Sequence, residues 1–450
     1  MSTVSAQRPA AMRYASTRDP AGTAGFGEAL QRGLAPDGGL YVPTSWPHAQ
    51  PEDLAQDRSL ARLATRLLAP FVAGEPIAGE LEAITDEAFS FPAPLVPLDS
   101  GPKLSILELF HGPTAAFKDF GARFLAATFG RLRRSNPQPL TILVATSGDT
   151  GGAVAAAFHG RAHFEVGVLF PKGLVSPTQE RQLTCWGGNV RSIAVHGTFD
   201  DCQRLVKQAF TDSTLREQAE LSSANSINLG RLLPQMVYYA AASLQIHRQH
   251  GERASFVIPS GNLGNALACI WARQVGLPIE RIVLAHNANR TVTDYLQGGE
   301  WRPRPSVATL ASAMDVGNPS NMERLRAMFP DLDGLRTAVT ADSVEDVDIR
   351  RRIRLGFEQY GQIWCPHTAT AAEVYHRLAA RAGGADRLPG RWVVVATAHP
   401  AKFPEIVEPL IGRVIPVPDA LARLLARPTA CTEIAADLAE LRAALSRRRV

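Results

Sequence analysis

One lysine has neighbours that would turn its amine into a nucleophile. Lys118 lies between Phe117 and Phe120 in the largely apolar segment 107–120. Burial among such side chains disfavours the ammonium form and lowers the lysine pKa, as a lysine that attacks an aldehyde requires. Taken alone, the pattern is more typical of a surface lysine whose stem covers aromatic rings while its amine reaches water. Lys118 is therefore a candidate Schiff-base residue that needs support from other segments.

Two glycine-rich segments follow predicted strands and precede predicted helices. Residues 145–152 have the sequence ATSGDTGG, and residues 259–265 have the sequence PSGNLGN. Backbone N–H groups at a helix start attract anions, and glycines let the backbone wrap a phosphate. No Walker, dinucleotide-binding, GxSxG or HExxH motif occurs in the sequence, so nucleotide, hydrolase and zinc functions lose support. We predict that both segments bind anions, with an ordinary strand-to-helix turn as the alternative for either one alone.

The elements that must position these segments follow a regular alternation. The runs predicted as strands are 141–145, 166–170, 190–195, 256–259, 281–285 and 392–396, and residues 152–159 are predicted as a helix. Strands separated by helices indicate an α/β fold with parallel sheets that carry helices on both faces. Ligands bind outside the carboxyl ends of such strands, so the loops there are the expected site. The last of these loops, residues 396–403, has the sequence ATAHPAKF.

Composition and charge exclude several classes of function. The chain has 450 residues, of which 45% are hydrophobic and 20% charged, as in an ordinary globular protein. Its 47 basic and 43 acidic side chains leave a net charge of only +4, without the interleaved basic and aromatic residues of a nucleic-acid groove. No apolar run reaches the roughly 18 residues that a membrane span needs. Neither nucleic acid nor a membrane is an expected partner.

The cysteines indicate a reducing compartment. They are scattered and odd in number, and occur at Cys185, Cys202, Cys269, Cys365 and Cys431. Such spacing supports neither a disulfide framework nor a zinc knuckle, and no metal site is predicted. We therefore expect a cytoplasmic protein. The sequence marks no oligomer interface, so the oligomeric state stays open.

The chain divides into three predicted domains. A proline-rich stretch at 91–97 indicates an extended connector, which places a boundary near residue 100. We predict an N-terminal domain (1–100), a small domain with the lysine segment (101–234) and a large domain (235–450). The first 18 residues contain arginines but no acidic residue, somewhat like a mitochondrial presequence, and we expect them to form a disordered terminal extension.

Six motifs in fixed order make the sequence similar to a known enzyme family. They are HGPTAAFKDF (111–120), ATSGDTG (145–151), NSIN (225–228), PSGNLGN (259–265), AMDVGNPSN (313–321) and TAHPAKF (397–403). With these motifs the chain resembles the threonine synthases that have a longer N-terminal domain, from about residue 12 to residue 412. The resemblance implies a pyridoxal-phosphate-dependent lyase. It also implies the tryptophan synthase β-like fold (fold type II), with two open parallel-sheet α/β domains around the cofactor and an additional N-terminal domain.

The resemblance also implies roles for residues that would bind pyridoxal phosphate. Lys118 would form the Schiff base, and the hydroxyl of Thr397 would face the pyridine nitrogen. The residues that would hold the cofactor phosphate are Gly261, Asn262, Leu263, Gly264 and Asn265. Asp149 occupies a position that is asparagine beside the ring oxygen in smaller relatives. A carboxylate would repel that oxygen, so Asp149 is either protonated or turned towards a backbone N–H group or a cation.

The implied substrate is O-phospho-L-homoserine, which would react with water to give L-threonine and phosphate. Its carboxylate would bind Thr146, Ser147 and Thr150. Its phosphate would meet Asn225 and Arg231, since a guanidinium group suits phosphate. An exposed helix position is the alternative for Arg231 on sequence alone. A phospho-lyase that releases 2-oxobutyrate, or a related amino-acid dehydratase, stays open as an alternative activity because no residue commits the chain to water addition.

Three histidines and one motif have less specific interpretations. We expect His111 and His399 to orient loops through hydrogen bonds, since Lys118 already supplies the base. His367 opens a predicted helix and is expected to contribute to its cap. Residues 314–321 indicate a turn followed by a helix N-cap at Ser320 or Asn321.

Overall fold

The computed structural model describes residues 11–57, 59–98 and 103–446. The predicted boundary at residue 100 and most of the first 11 residues lie outside these ranges. Within them, no helix combines the length and the apolar character that crossing a membrane requires.

The described chain contains fourteen strands. In chain order they are β1 (Tyr14–Ser16), β2 (Thr23–Ala24), β3 (Tyr41–Pro43), β4 (Leu95–Pro97), β5 (Leu104–Glu108), β6 (Leu140–Ala145), β7 (Phe164–Pro171), β8 (Val190–His196), β9 (Glu220–Ser223), β10 (Ala254–Pro259), β11 (Ile279–His286), β12 (Thr340–Ser343), β13 (Arg391–Ala396) and β14 (Thr432–Ala435).

The α-helices account for most of the remaining chain. They are α1 (Phe26–Arg32), α2 (Pro51–Leu54), α3 (Leu60–Leu68), α4 (Leu81–Ala88), α5 (Lys118–Leu132), α6 (Asp149–Phe158), α7 (Pro177–Thr184), α8 (Phe199–Thr211), α9 (Ser213–Gln218), α10 (Leu229–Leu232), α11 (Met236–His250), α12 (Gly264–Gln274), α13 (Thr291–Gly298), α14 (Met322–Met328), α15 (Leu332–Ala338), α16 (Asp346–Tyr360), α17 (Pro366–Arg381), α18 (Pro404–Ile411), α19 (Asp419–Leu425) and α20 (Leu438–Ser446). Short 3-10 helices occur at Ala69–Val72, Pro76–Glu80, Leu233–Gln235, Ser312–Met314, Ala385–Arg387 and Pro400–Lys402.

Two parallel sheets form the centre of the fold. One has the strand order β12-β11-β10-β13-β5-β4, with only β4 antiparallel to its neighbour. The other has the order β14-β8-β7-β6-β9 and is parallel throughout. Strands β6 and β10 are buried at every residue, as expected for parallel strands covered by helices on both faces. The predicted α/β class with two parallel sheets is confirmed.

The apolar runs predict every interior strand of the two larger sheets except β5, and none of the short edge strands. All six predicted strands are present, with ends within two residues of their predicted positions. The sequence pattern does not indicate β9, β12 or β14, which are edge strands of four residues rich in hydroxyl and carboxylate side chains. An edge strand is held by one neighbour and does not need an apolar run.

The chain crosses between the two sheets more than once. Strand β5 lies early in the chain yet pairs with β13, which lies near the C-terminal end. Strand β14 follows β13 but pairs with β8 of the other sheet. The division at residues 100 and 234 stays a prediction.

The N-terminal region adds a third sheet. Strands β2, β1 and β3 form an antiparallel sheet in that order. The expectation that the first 18 residues are disordered is wrong for residues 14–16, because they form β1 and the buried Tyr14 hydroxyl donates to the Phe71 carbonyl at 2.5 Å. The side chain of Trp46 also packs edge-on against buried Trp271, with ring centres 5.4 Å apart. This region therefore shares a hydrophobic core with the parallel sheets.

A buried arginine connects this N-terminal sheet to the loops of the larger fold. Arg324 on α14 is fully buried and donates to the carbonyl of Tyr41 at 2.9 Å and to that of Ile227 at 2.7 Å. It also donates to the carbonyl of Ser226 and to Oδ1 of Asn321. Because these oxygens satisfy the guanidinium group without a carboxylate, Arg324 joins three parts of the chain that are distant in sequence.

Replacing this arginine is expected to destabilise the whole protein. Arg324→Met leaves several buried carbonyl groups without a donor, so we expect the free energy of unfolding to fall by about 3 kcal/mol or more. Urea denaturation followed by circular dichroism measures this change. Arg326→Met, at an exposed position of the same helix, is the control. Equal midpoints for the two variants would contradict this role of Arg324.

Candidate active site

A cleft of about 1650 Å³ opens at the carboxyl ends of the two parallel sheets. The loop after β6 lines it from one sheet, and the loops after β10 and β13 line it from the other. All thirteen site residues predicted from the sequence line this cleft, namely Lys118, Thr146, Ser147, Asp149, Thr150, Asn225, Arg231, Gly261, Asn262, Leu263, Gly264, Asn265 and Thr397. The fold therefore brings together segments that are far apart in the chain.

Lys118 begins helix α5, and the residues before it are fastened to the loop after β13. The Phe117 N–H donates to the Thr397 carbonyl at 2.8 Å, and the His399 N–H donates to the Ala115 carbonyl at 3.0 Å. Lys118 is half-buried and faces the cleft, with Nζ 5.7 Å from the centre of the Phe117 ring. Desolvation lowers the pKa of Lys118 to about 8. The alternative of a surface lysine does not fit this position.

The loop between β10 and α12 offers a row of hydrogen-bond donors. Within the described residues, the backbone N–H groups of 261–266 meet no acceptor. The buried side chain of Asn265 accepts hydrogen bonds at Oδ1 from the hydroxyls of Tyr238 and Tyr239, at 2.5 and 2.8 Å. This orients the amide, and its Nδ2 is buried without a partner in the described chain. Such a set of unsatisfied donors fits a phosphate group.

The motif at 313–321 supports this loop from outside. The Ser320 N–H donates to Oδ1 of Asn262 at 2.5 Å, and Nδ2 of Asn321 donates to the Asn262 carbonyl at 2.9 Å. Nδ2 of Asn262 donates in turn to the Ser226 hydroxyl at 2.7 Å. Asn321 is the N-cap residue of helix α14, as predicted, but its side chain does not accept from the helix N–H groups, because its amide is engaged with the loop instead.

The segment 309–317 is held in place by the half-buried side chain of Asp315. Oδ1 of Asp315 accepts from Nδ2 of Asn287 and from the Thr309 hydroxyl, both at 2.7 Å. Burial raises the pKa of Asp315 to about 7. The anchored segment brings the backbone of Met314 so close to Gly261 that a Cβ there would lie 2.7 Å from the Met314 Cα. A glycine is therefore required at this point of the loop.

Two polar side chains stabilise the loop after β6. The Thr146 hydroxyl accepts from the N–H groups of Gly148 and Gly151 at 3.0 and 2.9 Å. The Asn225 amide pairs with the N–H and carbonyl of Ala145 at 3.3 and 2.8 Å. These two side chains stabilise the loop.

Two hydroxyls of the same loop remain available. The half-buried side chains of Ser147 and Thr150 line the cleft, and their hydroxyls make no hydrogen bond to the described residues. They can therefore donate to a bound anion.

Arg231 is a buried cation that faces the cleft. It is 2% exposed, donates to the Ala224 carbonyl, and forms no ion pair with any carboxylate of the described chain. Its Nε has no partner there. Helix α10 can pack close to α5 because position 121 is glycine, where a Cβ would lie 2.7 Å from the Arg231 carbonyl oxygen. The alternative of an exposed helix position is therefore wrong.

Asp149 has a partner that sequence reasoning did not assign. Oδ1 of Asp149 lies 2.7 Å from Nζ of Lys402 and accepts from Nε2 of Gln179 at 3.0 Å. Burial alone would raise the pKa of Asp149, but the ammonium groups of Lys402 and Lys118 hold it well below its ordinary value. Asp149 is therefore ionised and turned towards a cation. The lysine of the TAHPAKF motif is the sequence feature that could have indicated this partner.

The histidines serve as hydrogen-bond partners for loops. Nε2 of His111 lies 2.8 Å from the Glu108 carboxylate, and Nδ1 of His399 accepts from the Ala401 N–H at 3.1 Å, which confirms the expected role of both. The capping role expected for His367 is wrong, because Cys365 caps α17. Nε2 of His367 accepts from the Ala313 N–H at 3.1 Å, and burial lowers the pKa of His367 to about 4, so the ring is neutral.

Comparison with known proteins identifies the family. Residues 13–89 match the threonine synthase N terminus, 89–398 the pyridoxal-phosphate-dependent enzymes and 368–445 the threonine synthase C-terminal region. Threonine synthase of Haemophilus influenzae is 40% identical over 425 residues, which cover 93% of this chain and 96% of that protein. The chain belongs to the threonine synthase family. The predicted resemblance and enzyme class are thereby confirmed.

Solved structures of threonine synthases share the fold. The Escherichia coli enzyme superposes with a TM-score of 0.88 at 36% identity, covering 96% of this chain and 98% of that one. The pyridoxal-phosphate-bound enzyme of Brucella melitensis gives a TM-score of 0.87 at 35% identity, with the same coverage. The predicted fold type II architecture with an N-terminal domain is confirmed. Pyridoxal phosphate is the cofactor, and the donors of the loop at 261–265 fit its phosphate.

A methyl group at position 261 is expected to weaken cofactor binding. Gly261→Ala forces the loop away from Met314, so we expect the dissociation constant for pyridoxal phosphate to rise about tenfold, or about 1.4 kcal/mol. Spectrophotometric titration of the cofactor-free chain measures this constant. Gly298→Ala is the control, because a Cβ there meets nothing within 4 Å. Unchanged affinity in Gly261→Ala would show that the close contact does not shape the loop.

Proposed function

We propose that this threonine synthase converts O-phospho-L-homoserine and water to L-threonine and phosphate in the cleft described above. The observation that carries the proposal is the buried guanidinium group of Arg231, which faces the cleft and has no ion pair with a carboxylate of the described chain. Buried cations require anions to balance them. A substrate with a carboxylate and a phosphate dianion supplies that charge. We also propose a cytoplasmic location, which the five unpaired cysteines support.

The residues around the cofactor set its position and its electronic state. When bound, pyridoxal phosphate supplies an electron sink that stabilises negative charge on the carbon atoms of an amino acid. The N–H groups of 261–266 and Nδ2 of Asn265 would hold its phosphate. The Thr397 hydroxyl would face the pyridine nitrogen as a neutral partner, which leaves that nitrogen less protonated than a carboxylate partner would.

Lys118 would serve first as the anchor and then as the base. Its pKa of about 8 keeps a useful fraction of the amine unprotonated near neutral pH, so that it can bond to an aldehyde. Once released, the same amine can take a proton from the α-carbon of the substrate and return it at another carbon. His367 and His399 are poor candidates for this task because each has a pKa of about 4 and accepts a backbone hydrogen bond.

The two anionic groups of the substrate would bind to hydroxyl donors and to a guanidinium group in the cleft. Ser147 and Thr150 present free hydroxyls that can bind its carboxylate, while the Arg231 guanidinium can bind its phosphate through a planar fork of donors. Thr146 and Asn225 would act through the loop that they stabilise, since the Thr146 hydroxyl and the Asn225 amide already hydrogen-bond to its backbone.

Loss of the lysine amine is expected to abolish turnover. In Lys118→Ala we expect phosphate release from O-phospho-L-homoserine to fall at least about 1,000-fold, together with loss of the visible Schiff-base absorbance. Lys172→Ala, which removes an exposed lysine paired with Glu433, is the control. Turnover near the wild-type rate in Lys118→Ala would refute the assignment.

Loss of the Arg231 charge is expected to act on the substrate. In Arg231→Gln we expect KM for O-phospho-L-homoserine to rise about 10- to 100-fold, and inhibition by inorganic phosphate to weaken in parallel. Arg326→Gln, at an exposed position on the rim of the cleft, is the control. An unchanged KM would overturn this role.

Analysis of the wild-type product decides the reaction, because 2-oxobutyrate and ammonia in place of threonine would indicate the phospho-lyase.

A further inference from the structure

Two lysines lie close to the same carboxylate, but only one of them faces the cleft. Lys402 is 1% exposed and does not line the cleft, whereas Lys118 does. Nζ of Lys402 is 2.7 Å from Oδ1 of Asp149 and donates to the Thr114 carbonyl at 2.9 Å. Lys118 forms no ion pair within the described chain, although Asp149 is near enough to influence its charge.

Local structure places the Lys402 amine with little freedom. The residue ends the 3-10 helix Pro400–Lys402, whose N-terminus is capped by the His399 ring. Its backbone carbonyl accepts from the Ser176 hydroxyl at 3.0 Å. The Thr114 carbonyl that holds Nζ also accepts from Gln182, and the Thr114 N–H and hydroxyl donate to the buried Asp119 carboxylate. The Lys402 ammonium therefore joins the HGPT, SGDTG and AHPAKF motifs.

We propose that Lys402 is a positioning residue that holds Asp149 and keeps this carboxylate from pairing with Lys118, so that the Lys118 amine stays free for the cofactor aldehyde. Asp149 and Lys402 together carry no net charge, and Lys118 lies beside a neutral pair instead of a lone carboxylate. Burial excludes Lys402 itself from the aldehyde. The arrangement thus selects one of two neighbouring amines. The proposal rests on the cofactor and is independent of the proposed substrate.

The surroundings of Lys118 support this view. The charged and titratable groups that act on it are Asp149 on α6, Arg231 on α10, Lys402 and, on α17, the neutral His367. Asp149 raises the pKa of Lys118, while Arg231 and Lys402 lower it. Without Lys402, Asp149 would be the nearest counter-ion for Lys118, and the amine would be held as an ammonium group.

Two single variants are expected to shift one pH midpoint in opposite directions, and the double variant is expected to restore it. The measurement is the pH dependence of the rate at which the full-length chain, after removal of its cofactor, recombines with pyridoxal phosphate. In Lys402→Met the midpoint should rise by about one pH unit or more, because Asp149 is left to pair with Lys118. In Asp149→Asn the midpoint should fall, because the Lys402 charge is left unbalanced. In the double variant it should return to within about half a unit of the wild type.

The double variant separates the proposal from a purely structural role. It buries no unpaired charge, so it is expected to fold even where Lys402→Met does not. The proposal would be overturned if the midpoint of the double variant differed from that of the wild type by as much as the midpoint of either single variant does. The proposal would also be overturned if the midpoint of Lys402→Met equalled that of the wild type, or if the midpoint of Asp149→Asn did. Because O-phospho-L-homoserine is not used, failure of the proposed substrate would leave these results unaffected.

Discussion

Asp149 and Lys402 meet where three loops converge at the carboxyl ends of the parallel sheets. One loop follows β6, one follows β13, and the third leads into the helix that Lys118 begins. A carboxylate in this position would be costly to bury alone and would attract the reactive amine. The ion pair removes both difficulties, and the remaining features of the cleft can then be organised around an amine that is free to react.

The other polar side chains divide into those that build the loops and those that are left for ligands. The side chains of Thr146, Asn225, Asn262 and Asn321 form hydrogen bonds to backbone groups, and the two last also bond to the Ser226 hydroxyl. Backbone N–H groups of the loop at 261–266, Nδ2 of Asn265 and the hydroxyls of Ser147 and Thr150 remain without partners in the described residues. Preorganised donors of this kind stabilise a bound anion without a further cost of ordering.

Sequence reasoning located the site well because glycine-rich loops and apolar runs are local signals. The strands, the lysine and every residue of the cleft that was singled out are found where parallel βα units predict them. The failures concern side chains whose partners are distant in sequence. His367 bonds to another loop instead of capping its own helix, the Asn321 side chain bonds to the loop at 262, and Lys402, the partner of Asp149, lies on a loop that follows a different strand. The edge strands β9, β12 and β14 were missed because they carry no apolar run, and the interior strand β5 was missed although its sequence LSILE is largely apolar.

The contact between Thr114 and Lys402 joins residues that are 288 positions apart. Closing so long a loop is entropically costly and slow, and it cannot begin before the distal segment has been synthesised. A ribosome-bound chain that already carries the reactive lysine and the glycine-asparagine loop still lacks the segment from Thr397 to Lys402. If Lys402 positions Asp149 as proposed above, the cofactor cleft is complete only after the segment at 397–402 has been synthesised and has folded onto the earlier loops.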